Sequence, residues 1–180
     1  MEKFNDEQLM QKVKNGDLDS LAPLFEKYHV RLYNFFLRLT QNKDLSGDLT
    51  QNVFRRIISY RESYNEDWKF KSWMYQIARN VHLKNYQENK FLRSDYHETE
   101  ELNNDSKSAL EEMEMETRKS NLYEALNQLS PEQREIIELS RFQGLKYQEI
   151  SEITGNSVTA IKVKVHRAMH KLRELYFELV

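Results

Sequence analysis

A chain of 180 residues with a formal net charge of −2, four glycines, two prolines and no cysteine is long enough for one domain or two small ones, each able to fold unaided by metal or disulfides. The missing cysteine excludes disulfides and thiolate metal sites, and neither an apolar leader nor a run of roughly eighteen apolar residues is present, so a cytoplasmic protein is expected. Net acidity argues against nucleic-acid binding, but the charge is segregated: nine acidic and four basic residues lie between Phe91 and Ser120, against five Lys or Arg and a single acid between Gly155 and Leu175.

Leu21, Leu24, Phe25, Tyr28, Leu32, Phe35, Phe36 and Leu39 recur at steps of three and four, which predicts a long helix with one core-facing stripe. A second helix carries Leu49, Val53, Phe54, Ile57 and Ile58. A polar loop from about Ser59 to Lys69 leads to a third, with Phe70, Trp73, Met74, Ile77, Ala78 and Val81 on its apolar side. Together these elements close an expected helical domain over residues 1–92. Periodicity then gives way to charge and amide, as in Ser94-Asp95-Tyr96-His97-Glu98, and residues 93–115 read as a flexible acidic linker. Such a linker is able to hold two domains far apart, and it competes for the basic C-terminal helix if it folds back. The second domain, 116–180, resumes with Leu122, Ala125, Leu126 and Leu129. In Ser130-Pro131-Glu132-Gln133 a capping serine, a first-turn proline and a returning glutamine announce a helix, which is expected to stop near Gly144. The fold class is therefore all-α, as two small helical domains.

The C-terminal stretch Tyr147 to Ile161 has the layout of a helix-turn-helix. A short helix ends at Thr154-Gly155-Asn156, where the glycine permits the turn, and Ser157 caps a last helix that buries Val158, Ile161, Val165, Ala168, Leu172 and Leu175. Ile150, Ile153 and Ile161 hold the angle between the two helices. Ser157, Thr159, Ala160, Lys162 and Lys164 are then placed for base edges or phosphates in a major groove, with Arg167 and Lys171 better set for phosphates. The competing reading is a plain helical hairpin with a solvated basic face. His166 and His170 are one turn apart, but no third ligand accompanies them. With no glycine-rich phosphate loop, nucleophile motif or metal-ligand cluster, neither enzymatic activity, a cofactor, a metal nor a small-molecule substrate is expected.

Leu129-Ser130-Pro131-Glu132-Gln133-Arg134-Glu135-Ile136-Ile137, the helix-turn-helix, and Ile161-Lys162-Val163-Lys164-Val165-His166-Arg167-Ala168 resemble region four of the extracytoplasmic-function sigma factors of the bacterial sigma-70 family. Independently, Asp48-Leu49-Thr50-Gln51-Asn52-Val53-Phe54 is similar to the polymerase-binding helix of region two, and Phe70-Lys71-Ser72-Trp73-Met74-Tyr75-Gln76-Ile77-Ala78-Arg79-Asn80 to the segment leading into minus-ten recognition. The resemblance implies an initiation subunit whose partners are core RNA polymerase, through the β′ clamp and the β flap, promoter DNA, and an anti-sigma factor. It assigns polymerase binding to Asp48, Gln51, Asn52 and Phe54. Minus-ten contacts fall to Tyr75, Arg79, Asn80, Lys84 and Tyr86, and minus-thirty-five contacts to Ser157, Thr159, Ala160, Lys162, Lys164 and Arg167. The chain departs from the family at Lys84, where an Asp is usual, at Gln87-Glu88-Asn89-Lys90 in place of a basic cluster, and at Gly47, which is expected to weaken the start of the second helix. Trp73 is assigned to the core by its spacing, whereas Tyr60, Tyr64 and Trp68, in the polar loop, are candidates for stacking on an unpaired base. A stand-alone helix-turn-helix regulator is the alternative, and it leaves the region-two motifs without a role.

Overall fold

The computed structural model describes residues 4–89 and 109–180, with side chains from 115 onward in the second stretch. Eight α-helices and no strand are found among the described residues. An unexpected helix, α1 (Asp6–Lys14), opens the chain. Its signal is local: Asn5 accepts from the Gln8 amide at 2.8 Å while the Gln8 side chain accepts from the Asn5 amide at 2.9 Å. Met10 and Val13 then drive it into the core.

The predicted apolar stripe forms α2 (Leu21–Thr40), which ends where Gln41 adopts φ +56. One member departs from it: Phe25 lies on the flank of the stripe and is 43% exposed. Helix α3 (Lys43–Ser59) starts earlier than the Asp48 motif, because Asn42 accepts from the Leu45 amide and caps it. Gly47 is thus inside the helix rather than at its start, and its penalty of about 1 kcal/mol relative to Ala falls on an interior turn. Helix α4 (Phe70–Asn89) is entered through a tight connection: the Glu7 carboxylate of α1 accepts from the Phe70 amide at 3.2 Å. Inside that connection Tyr64 is 1% exposed, its ring edge-on to Trp73 at 5.1 Å and its hydroxyl donating to the Trp68 carbonyl. The expectation that Tyr64 is available for a base is overturned, since it fills the junction between α1 and α4; Trp73 is core, as its spacing predicts.

Of the expected linker, residues 93–108 lie outside the described residues, and so does the idea that it competes for the basic helix. Residues 109–115 are already helical, as the start of α5 (Ala109–Asn127). Helix α6 (Pro131–Ile137) carries the predicted Ser130–Gln133 capping box and proline. It gives way to a π-helical turn at Glu138–Phe142, after which Gly144 (φ +62) lets the Leu145 amide reach the Leu139 carbonyl. Helices α7 (Tyr147–Thr154) and α8 (Val158–Glu178) follow. The two helical units do not stand apart: α6, the π turn and α7 pack on α2 and α4.

Candidate nucleic-acid and polymerase interfaces

Gly155 closes α7 in the left-handed conformation (φ +74), and the Ser151 hydroxyl donates to the Asn156 carbonyl at 2.6 Å. Ile150, Ile153 and Ile161 are buried together beneath this turn. The angle between α7 and α8 is therefore held from below by apolar packing and from above by a hydrogen bond. Ser157 spends its hydroxyl on the Ala160 amide, 3.2 Å away, capping α8. Ser157, Thr159, Lys162 and Arg167 are exposed along the first turns of α8, and Ala160 and Lys164 are half-buried. Lys164 is engaged already: its ammonium donates to Glu132 at 2.6 Å and to Asn156 at 3.0 Å.

On α3 the core face (Leu49, Val53, Ile57) is buried, and Asp48 and Gln51 stand on the outer edge. Asn52 is half-buried and accepts from Arg56 at 3.1 Å. Phe54 is only 6% exposed because Phe25 covers it, ring centroids 4.7 Å apart, and Phe25 in turn stacks on His29 at 4.9 Å. This aromatic extension from α3 onto α2 escapes motif reading, since Phe25 shares the helical period of core residues.

The structure divides the candidate minus-ten residues. Asn80 and Lys84 are exposed and Tyr86 is half-buried beside His82. Tyr75 and Arg79 lie on a stripe of α4 that begins at Lys71 and faces the second unit. Tyr75 is fully buried, edge-on to Phe35 at 5.5 Å, with its hydroxyl donating to Gln143 at 2.5 Å. Burial pushes its ionisation above the ordinary tyrosine range, so it is a neutral donor. Arg79 pairs with Glu135 at 3.0 Å. Lys71 donates to the Gln143 carbonyl at 2.5 Å. Burial, and then the positive charge of Arg31, pull the Lys71 ammonium below the usual lysine range, with Glu149 opposing and Lys27 and Lys69 adding to the effect. A cationic surface thus runs from Lys27, Arg31 and Lys69 to Lys71 and Arg79. Sequence reading missed its first four members because they are dispersed over two helices and a loop end.

Around the polar loop, Tyr60 and Trp68 are each 47% exposed. An apolar groove of about 390 Å³ lies between α5 and α8, lined by Met115, Leu122, Met169, Leu172 and Tyr176 together with Arg118, Lys119 and Arg173. Among the described residues no three His, Cys, Asp or Glu side chains are grouped to hold a metal, and no helix is long and apolar enough to cross a membrane.

Residues 24–91 match the model of sigma-70 region 2, and residues 119–172 that of sigma-70 region 4. The chain is 30% identical over 170 residues to the RNA polymerase sigma factor CarQ of Myxococcus xanthus, covering 94% of this chain and 97% of that protein. With the ECF RNA polymerase sigma factor SigW of Bacillus subtilis it shares 26% identity, covering 92% and 93% respectively. The same fold is found in CnrH, solved in complex with the cytosolic domain of CnrY (TM-score 0.72, 20% identity, 94% of this chain and 96% of that one). It recurs in the sigma factor RpoE of Bartonella quintana, solved in complex with the anti-sigma factor NepR (TM-score 0.70, 24% identity, 87% and 96%). With both sigma-70 regions matched in order and a relative similar along nearly its whole length, the chain belongs to the extracytoplasmic-function branch of the sigma-70 family of RNA polymerase sigma factors.

Proposed function

We propose that this chain docks on core RNA polymerase through the outer edge of α3, holds the minus-thirty-five duplex with α8, and helps open the minus-ten region with α4 and the loop before it. The observation that carries this reading is the outer edge of α3: Asp48 and Gln51 are exposed on a helix whose opposite face is packed into the core, in a chain that also displays a helix-turn-helix. A stand-alone regulator has no use for that edge. Asn52 and Phe54 support it from behind, with Phe25 and His29 extending it onto α2. The groove between α5 and α8 offers an apolar floor and a basic rim to the flap of polymerase or to an anti-sigma factor. Residues 1–92 and 116–180 are the working units.

The chain performs no covalent chemistry and acts in the cytoplasm. Strand opening draws on binding: exposed Tyr60 and Trp68 stack on unpaired bases, each such contact being worth about 1–3 kcal/mol, while Asn80, Lys84 and Tyr86 track the strand. Tyr64 contributes indirectly by fixing the Trp68 backbone. Purified chain mixed with sigma-free core polymerase is expected to co-elute on size exclusion. Asp48→Ala and Gln51→Ala should each weaken the complex about tenfold, the usual cost of truncating an interface anchor. Absence of binding by a folded chain that still holds duplex DNA would leave the stand-alone regulator in its place.

A further inference from the structure

Helix α8 buries Ile161, Val165, Ala168, Leu172 and Leu175, at steps of four, three, four and three. With about 100° of rotation per residue, the line opposite to this stripe runs through Thr159, Val163, His166 and His170, and all four are exposed. No acidic residue occurs between Ser157 and Lys171. The cations of this stretch stand beside the exposed line rather than on it. Lys162 lies on one flank and Arg167 and Lys171 on the other, all exposed, while Lys164 is turned toward Glu132 and Asn156. Between the flanks, in the second turn of the helix, is Val163. It is 43% exposed, a β-branched residue on a surface where helix propensity favours Ala, Lys or Arg.

We propose that Val163 reads a base: its side chain packs on the 5-methyl group of a thymine in the major groove, while Lys162 and Arg167 hold the phosphates on either side. The assignment rests on the proposed function, because it takes α8 to be the element that enters the minus-thirty-five duplex. A helix seated in the major groove presents its outermost line to the base edges and its flanks to the two backbones. Cations on the flanks therefore meet phosphate, which sets position without reading sequence. The residue between them meets the bases. An aliphatic side chain has no donor or acceptor for a purine N7, a guanine O6 or a cytosine amino group, and the thymine methyl is the apolar group that the major groove displays. Any other base edge placed against Val163 loses water without gaining a partner, so the contact discriminates as well as attracts. Position along the helix agrees. Base edges are met by the N-terminal residues of such a helix, and Val163 follows one turn after the exposed Thr159 at its start.

The full-length chain is used to select duplexes from a randomised pool, and the enriched duplex is rebuilt with deoxyuridine in place of one thymidine at a time. Each replacement removes a 5-methyl group and leaves the pairing unchanged. One of them should weaken binding of the unaltered chain about fourfold, the value of burying a single methyl group, and should have no effect on Val163→Ala. Alanine favours the helix at least as well as valine, so the melting temperature of Val163→Ala should not fall below that of the parent. Its salt dependence should match the parent's, whereas Lys162→Ala and Arg167→Ala should each lower the salt slope by about one and keep the uridine effect. A uridine effect of equal size in Val163→Ala, or an enriched duplex in which no thymine is sensitive to uridine, overturns the role of Val163 and leaves α8 on the duplex. Failure of the chain to enrich any duplex, whether free or bound to core polymerase, overturns the placement of α8 itself.

Discussion

Ser157 illustrates how one side chain serves local structure and recognition together. Its hydroxyl accepts from the Ala160 amide and so begins α8, yet it stands exposed at the end that enters a groove. Substitution separates the two roles. Ser157→Ala should cost about 1 kcal/mol of stability through the lost cap. Ser157→Asp keeps a capping acceptor and complements the helix dipole, so its melting temperature should stay near that of the parent, while its negative charge faces phosphate and weakens duplex binding. Undiminished duplex affinity in Ser157→Asp would remove Ser157 from the DNA surface. The Ser130–Gln133 box and the Gly155 turn are similarly local, which is why both are readable from a few adjacent residues. Tyr64 is the opposite case: nothing in its polar neighbourhood announces that Trp73 and Phe70 close around it.

Two of the lysines of α8, Lys162 and Lys164, two positions apart, are in different circumstances. Lys162 is exposed, whereas Lys164 is drawn toward Glu132 and Asn156. Partly exposed ion pairs of the Lys164–Glu132 kind contribute about 0–1 kcal/mol, yet they orient the ammonium away from a ligand. Lys162→Ala should therefore weaken promoter binding by about 1–3 kcal/mol if the side chain reads a base, or lower the salt slope by about one if it meets phosphate. Lys164→Ala should cost less. A titration against duplex at several salt concentrations settles the order, and a larger loss for Lys164 would mean that its pairing with Glu132 is abandoned on DNA. Element boundaries tell a related story. The start of α3 is set by Asn42 rather than by the motif at Asp48, and α6 yields to a π turn at Glu138. Apolar spacing finds the face of a helix well and its ends less well, because ends depend on caps and on what packs against them.

For the molecule entire, the packing of the two units makes stability depend on pH in opposite directions. Burial raises the Glu138 carboxyl above its ordinary range despite Arg38, Gln143 and Arg134, and burial raises Glu135 despite Arg79 and Lys164, with Glu132 adding to the rise. A carboxyl with a raised folded value binds its proton more tightly when folded. Its contribution is complete below the ordinary carboxylate range and is lost as pH climbs through the folded value. Glu149 behaves otherwise: burial raises it, but the Lys146 amide and Lys69 outweigh burial and hold it below the ordinary value. Its contribution disappears only as pH falls through that lower value. Melting temperature should accordingly rise as pH is lowered from neutrality toward the ordinary carboxylate range, and then decline in stronger acid. Glu138→Gln together with Glu135→Gln should flatten the rise and leave the decline. A rise of equal size in that double variant would assign the effect to other groups.

From residue order alone came the helical class, the helix-turn-helix, the core face of each long helix and the two sigma-region motifs, since caps, turns and apolar period act over a handful of neighbouring residues. Asp48 and Gln51 on an exposed edge, and Lys162 on an exposed face, follow from the same periodicity. Packing in space determined the rest: that Phe25 covers Phe54, that Tyr64 is interior, and that Lys71, Tyr75 and Arg79 look toward Gln143 and Glu135 across a separation of some dozens of residues. A cation on an amphipathic helix carries no mark of which carboxylate will meet it. That pairing depends on how two apolar faces dock, with desolvation and ion pairing balancing only once the units are in contact.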